Sequence, residues 1–437
     1  MPRPPQDQSL RFTISHRSLS TRGRVGVVET PHGSFDTPAF MPVGTRGSVK
    51  GLLPELVRAT GAQIILNNTY HLLLRPGPDL VEQMGGAHRF MNWPGPILTD
   101  SGGFQAFSMA DINALDEDGV SFKSIVDGSK VRMTPESAID AQNKIGADII
   151  MAFDDCPPAR DPGEAPPNLI RQKGTAGVAK LDEGVYTRRV REANERTVRW
   201  LDRCIGAHAR PQEQALFGIV QGGTDPDERA WSAERICSYD LPGFAIGGVA
   251  VGESSEEIAR VVAYTAPLMP EDKPRYLMGV GYERDIVSAV RSGVDMFDCV
   301  LPTRNGRNAN AFSRTGQIRL RNAAHRADPS PIEAGCSCPA CDPGSHGWAT
   351  PDGAPFSRAY IRHLFACGEM LGPILVSLHN LHHFQRLMVD IRRALREDDW
   401  RGFAQRWPVA APGLAPGTAD ASEGSPAGRG LSDDLKG

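Results

Sequence analysis

The stretch VDMFDCVLPTRNGRN, residues 294–308, decides how the rest of the chain is read. Its first half is apolar, short enough for a buried strand, and closes on an acid, Asp298. Its second half is a Pro302-Thr303 break followed by an arginine loop. From Cys299 to Ala327 there is no Asp or Glu, yet there are six arginines: Arg304, Arg307, Arg314, Arg319, Arg321 and Arg326. A carboxylate at a strand end beside a polyanion-sized cationic strip points to chemistry on a nucleic acid. Taken alone, the pattern fits a solvated basic face beside a core strand equally well.

Outward from this stretch, short apolar runs recur at 38–43, 64–68, 97–99, 149–153, 215–220, 244–247, 276–280 and 296–300. Helix start signals fall between them. Thr134-Pro135-Glu136 reads as an N-cap with proline in the first turn, and Asp225-Pro226-Asp227-Glu228 repeats it. Ser254 precedes Glu257 in capping-box spacing, and Arg284-Asp285 leads into another apolar face. Buried strands alternating with amphipathic helices imply parallel sheet. Eight such units predict a closed (β/α)₈ barrel, which needs about 250 residues. No glycine-rich dinucleotide loop follows the first strand, which argues against an open doubly wound sheet.

In such a barrel the strand ends converge on one face. Asp100, the pair Asp154-Asp155, Gln221 and Asp298 stand at those ends, together with Gly222-Gly223, Gly247-Gly248 and Gly279-Gly281. Buried carboxylates there can attack a sugar carbon, move a proton or accept the N–H edge of a purine. Glycines let a flat ring approach backbone groups that can read it. Phe104 and Met278 could sandwich a base, although core packing is the commoner fate of a lone methionine.

The chain has 437 residues and a net charge of −4, so any nucleic-acid site is a local patch. No apolar run approaches the roughly 18 residues that span a membrane, and MPRPPQDQSL has no signal-peptide core. A cytoplasmic protein is expected. Cys336, Cys338 and Cys341 form a thiolate cluster suited to tetrahedral zinc. Spacing leaves His346, His363, Cys367, His379, His382 and His383 open as the fourth ligand. Three Cys and one His would close the shell, making the site structural. Residues 157–185 read as a long surface loop, and the Pro-, Gly- and Ala-rich tail 408–437 as disordered.

These features together resemble the bacterial-type queuine/tRNA-guanine transglycosylase family over roughly residues 10–405. The segments that carry the resemblance are PVGT at 42–45, NTYHL at 68–72, LTDSGGFQ at 98–105, FDDC at 153–156, GIVQG at 218–222, GGVAVGE at 247–253, YLMGVG at 276–281 and the stretch around Asp298. The resemblance implies exchange of guanine at the wobble position of GUN-anticodon tRNAs for a 7-deazaguanine, on the way to queuosine. It assigns Asp298 as nucleophile and Asp100 as general acid/base. Ser101, Gly102, Gly103, Phe104, Asp154, Gln221, Gly248 and Met278 would bind the base. Gly279, Val280, Gly281, Tyr282, Glu283, Arg284 and Asp285, with Thr303, Arg304, Asn305, Gly306 and Arg307, would contact tRNA. Cys336, Cys338, Cys341 and His379 would hold one structural Zn²⁺ per subunit, leaving Cys367 incidental.

The implied layout is a barrel over 10–305 with an N-terminal β-hairpin cover, a zinc-bearing, tRNA-contacting subdomain with C-terminal helices over 306–405, and commonly a homodimer. Asp155 stands where bacterial members usually carry Glu, which bears on base preference. Val251 and Cys156 are of the bacterial type, favouring 7-aminomethyl-7-deazaguanine over the bulkier queuine. Intact Asp100 and Asp298 argue against a non-catalytic tRNA-binding subunit. The acid-free arginine strip and cysteine cluster argue against a glycoside hydrolase.

Overall fold

The structure, a computed structural model, describes residues 9–108, 112–157, 184–249 and 253–414. Eight parallel strands close into a barrel: β1 Ala39–Gly44, β2 Ile65–Asn68, β3 Ile97–Asp100, β4 Ile149–Met151, β5 Ala215–Val220, β6 Gly243–Ile246, β7 Arg275–Leu277 and β8 Met296–Cys299. Consecutive strands pair, and β8 returns to β1 with Asp298 opposite Met41. The expected (β/α)₈ architecture is present, with every strand in its expected place to within a few residues. The largest difference is in β7, which stops at Leu277. Beyond it Gly279 takes φ +76° and turns its N–H onto Asp298.

The helices begin where the capping chemistry says. Thr134 accepts from Ser137 N–H in a capping box, Asp225 accepts from Asp227 and Glu228, and Ser254 pairs with Glu257. Inside the barrel, Met41, Leu66, Leu98, Met151, Phe217, Ala245, Tyr276 and Met296 pack on one another. Outside it, Ile139, Leu201, Ile236, Val262 and Val287 bury the helical faces against the strands.

The expected N-terminal hairpin is a three-stranded antiparallel sheet, Arg11–Arg17, Arg24–Thr30 and Gly33–Thr37. Leu10, Val28 and Phe35 join the interior cluster and seal the end where the barrel strands begin. Buried Arg24 and Asp295 lock this sheet to β8 through two hydrogen bonds, of 2.9 and 2.6 Å. Among the described residues, this leaves the carboxyl end of the barrel open for a site.

Two expectations are corrected. The arginine loop is a short helix, Leu301–Arg307. Proline in a first turn loses no intrahelical hydrogen bond, so Pro302 starts the helix rather than breaking it. Gly306 lets this helix press on the long helix Leu371–Glu397: a Cβ there would lie 2.6 Å from Ser377 Oγ and 2.8 Å from its Cα. The tail assigned as disordered from 408 is ordered over residues 408–414. Pro408–Leu414 form a 3₁₀ helix in which Ala410 is buried and Arg291 Nη1 donates to Leu414 O at 2.7 Å. Residues 158–183 and the tail from 415 lie outside the described residues. Among the described residues, no helix is long and apolar enough to cross a membrane.

Candidate active site

Asp100, Ser101, Gly102, Phe104, Asp154, Gln221, Gly248, Met278, Gly279 and Asp298 line a single cavity at the carboxyl end of the barrel. They come from the ends of β3 to β8, so residues up to two hundred positions apart meet because the barrel makes their strand ends equivalent. The cavity is about 150 Å³. That is well below the roughly 300–1,000 Å³ of pockets for larger ligands and suits one flat base. Phe104 and Met278 both border it, the former 42% exposed at its mouth. Gly103 lies beside it, its Cβ position 3.2 Å from Asp154 O.

The nucleophile candidate is tightly placed. Tyr276 Oη donates to Asp298 Oδ1 at 2.6 Å, and Gly279 N–H donates to the same oxygen at 2.8 Å. Burial pushes the Asp298 carboxyl up, and these two donors oppose the shift. Asp100 accepts from Asn68 Nδ2 at 2.6 Å and from Thr69 N–H at 3.0 Å. Desolvation, offset in part by the Thr69 N–H and reinforced by the nearby Asp298, raises its pKa to about 7. Asp154 accepts from Gln221 Nε2 at 2.6 Å and from Ser101 Oγ at 3.4 Å, and burial raises it to about 6. Among the described residues, buried Gln221 Oε1 has no hydrogen-bond partner. Three carboxyl groups, all raised by burial around one cavity, are equipment for proton transfer and nucleophilic attack.

The sequence reading missed Tyr276, Leu66 and Val249 as cavity residues and Asn68 as a donor to Asp100. Tyr276 carried a usable signal, since a tyrosine inside a buried strand needs a hydroxyl partner. Asp155 does not line the cavity. It is buried behind it, ion-paired with Arg189 at 2.6 Å and with Arg196. Cys156 does line it, whereas Val251 lies outside the described residues.

The cysteine cluster closes on one histidine. The Sγ atoms of Cys336, Cys338 and Cys341 stand 3.6, 3.5 and 3.5 Å from His379 Nδ1. A tetrahedral shell with metal–S near 2.3 Å and metal–N near 2.0 Å needs S and N roughly 3.5 Å apart. His379 Nε2 faces Phe312 O at 2.7 Å, which turns Nδ1 toward the thiols. Of the other candidates, His382 bonds Ser337 and Thr60, His383 bonds Glu283, and Cys367 is exposed beside His363. The four residues fit a metal ion with no position left for water.

The queuine tRNA-ribosyltransferase family model matches residues 19–167 and 178–412. A queuine tRNA-ribosyltransferase of Herpetosiphon aurantiacus is 50% identical over 396 residues, 91% of this chain and 92% of its own. That of Thermus thermophilus is 48% identical over 397 residues, 91% and 93% of the two chains, and that of Geobacillus kaustophilus 45% over 398 residues, 91% and 95%. The chain belongs to the queuine tRNA-ribosyltransferase family. It is therefore an enzyme of the pentosyltransferase type.

A cationic helix follows the strand that carries Asp298. Arg304 is exposed and Arg307 half-buried, one turn apart on the helix Leu301–Arg307. Among the described residues neither has a carboxylate within ion-pair distance, and burial, with the Arg304 charge adding to it, depresses the Arg307 pKa. Tyr282 and Arg284 are exposed on the neighbouring turn. Other residues of the expected tRNA set face inward. Val280, Gly281, Thr303 and Gly306 are buried, as are Glu283, bonded to His383 at 2.8 Å, and Asp285. These buried residues help build the turn and the helix. Asn305 is half-buried between the two arginines.

Proposed function

We propose that this ribosyltransferase exchanges guanine at the wobble position of GUN-anticodon tRNAs for 7-aminomethyl-7-deazaguanine, through a covalent Asp298–RNA ester. The observation that carries this reading is the convergence of two donors on Asp298 Oδ1, which leaves Oδ2 to attack. The target nucleotide must leave its stack to reach the cavity. Asp298 attacks the anomeric carbon as guanine departs with a proton from Asp100. The incoming base returns its ring proton to Asp100 and displaces Asp298. Two inversions give net retention, as in retaining glycosidases.

In this reading Asp154 accepts the N–H edge of the base, Gln221 Oε1 accepts a further N–H, Gly248 offers its backbone N–H, and Ser101, Gly102 and Gly103 shape the wall behind Phe104 and Met278. Arg304 and Arg307 hold the anticodon, with Tyr282 and Arg284 beside them and Gly279–Asp285 shaping the second contact turn. Cys336, Cys338, Cys341 and His379 hold one Zn²⁺, which when bound supplies folding free energy rather than chemistry. A cytoplasmic homodimer acting on tRNA and a free base completes the proposal.

Exchange of labelled guanine into tRNA, with both deazaguanine bases as competitors, tests the activity and the base preference. Wild-type protein should form a denaturation-resistant tRNA adduct, and Asp298→Asn should bind tRNA without forming it. Normal turnover by that variant would remove Asp298 from the mechanism.

A further inference from the structure

Behind the base cavity sits a guanidinium that the exchange reaction does not itself use. Arg229 is completely buried on the helix Pro226–Ile236. Its Nε donates to Gly223 O at 2.8 Å, Nη1 to Val220 O at 3.1 Å and Gly247 O at 2.7 Å, and Nη2 to Gly248 O at 3.1 Å. One side chain thus gathers four carbonyl oxygens from the turns after β5 and β6. Both turns contribute to the cavity, through Gln221 and through Gly247, Gly248 and Val249. Gly248 has φ +65°, which lets two successive carbonyls turn to the same guanidinium.

A trans peptide is planar, with its C=O and N–H pointing in opposite directions. Fixing the oxygens of Gly247 and Gly248 on Arg229 therefore fixes the N–H groups of Gly248 and Val249 on the side away from it. Successive N–H groups of this kind form a concavity for a partial negative charge. We infer that Arg229 is a positioning residue for substrate specificity, holding the Gly247–Gly248–Val249 backbone so that its N–H groups face the cavity and select a purine with an acceptor at position 6. The inference rests on the reading of the cavity as a base site. Lysine could not replace Arg229, because a single ammonium cannot span four carbonyls in a fixed fork.

The test is calorimetric binding of free guanine and 6-thioguanine to wild type and Arg229→Lys, with melting temperatures recorded. The two bases share their N1–H and amino groups and differ at position 6, where sulfur is the weaker acceptor. Wild type should favour guanine by about ten-fold, the worth of one well-made hydrogen bond. In Arg229→Lys the preference should fall to about two-fold. Equal weakening of both bases, or an unchanged ratio, would mean a merely structural arginine and overturn the inference. Wild-type protein that binds both bases equally would also overturn it. Binding of neither base by wild type would instead overturn the base-site reading, and the inference with it. If Arg229→Lys does not fold, a crystal structure of wild type with guanine decides: the base oxygen on Gly248 N–H with both carbonyls on Arg229 supports the inference, and a carbonyl turned to the base overturns it.

Discussion

Tyr276 contributes one hydroxyl to the cavity, and that hydroxyl sets the chemistry of its neighbour. It donates to Asp298 Oδ1 and opposes the upward shift that burial imposes on the carboxyl. Tyr276→Phe should therefore raise the Asp298 pKa and move the acid limb of the kcat/KM–pH profile upward. Loss of a hydrogen bond to a charged group of about 1.5–3 kcal/mol corresponds to a roughly 10- to 100-fold lower rate. An unmoved pH profile at a reduced rate would point to packing instead. Asp100 allows a second prediction, on stability. Its folded pKa of about 7 exceeds the ordinary carboxylate value of 3.8, so between these pH values the unfolded chain holds fewer protons than the folded one. Stability contributed at this site is thus full below pH 3.8, falls as pH rises toward 7, and is flat above. Asp100→Asn should be more stable than wild type at about pH 8, with the gap closing toward about pH 4, while exchange activity is lost. Melting curves across that range check it, and a gap that widened in acid would contradict the assignment.

At the scale of elements, the helix Leu301–Arg307 shows what local reading gets wrong and what survives the error. Proline, threonine, glycine and asparagine signal a break, and in an isolated peptide they would make one. Here Gly306 packs against Ser377, and that tertiary contact holds the segment helical against its own propensity. The functional expectation is carried by the arginines and does not depend on the loop. Arg304→Ala with Arg307→Ala should weaken tRNA binding and leave the melting temperature within a few degrees, because neither side chain is a core residue. Phosphate contacts would lower the slope of log K against log salt by roughly 0.7–0.9 per arginine. Base contacts would leave that slope alone and relax discrimination against anticodon-altered tRNA. Binding of both RNAs at two salt concentrations separates the outcomes, and unchanged affinity for both would exclude an RNA role.

At the scale of the molecule, the long helix Leu371–Glu397 joins the cysteine group to the barrel. It carries His379 to the thiols, buries Leu378, Leu381 and Phe384 in the main core, supports the helix Leu301–Arg307 and receives Glu283 through His383. Metal lost from the cysteine group should therefore be felt as stability. Cys338→Ser should lower bound zinc and melting temperature together, and chelation of wild type should do the same. Metal-stripped protein that melted at the wild-type temperature would refute a structural site.

The sequence by itself determined the periodic parts of this protein. Eight apolar runs, their capping residues and the acids at their ends were legible because strand period, cap chemistry and chain order are local properties. The cysteine triplet was legible because its ligands are adjacent. Spacing left six candidates for the fourth ligand; the family resemblance pointed to His379, and the tertiary structure gives the physical reason, because His379 is the one that points Nδ1 at the thiols. Tertiary structure alone joined Tyr276 to Asp298, Asn68 to Asp100 and Arg229 to the glycine carbonyls. It also placed the side chains of Glu283 and Asp285 in the interior. The physical reason is the same in each case: a hydrogen bond between distant residues is fixed by how strands and helices pack around the barrel, and no spacing along the chain encodes which donor a buried acceptor will meet.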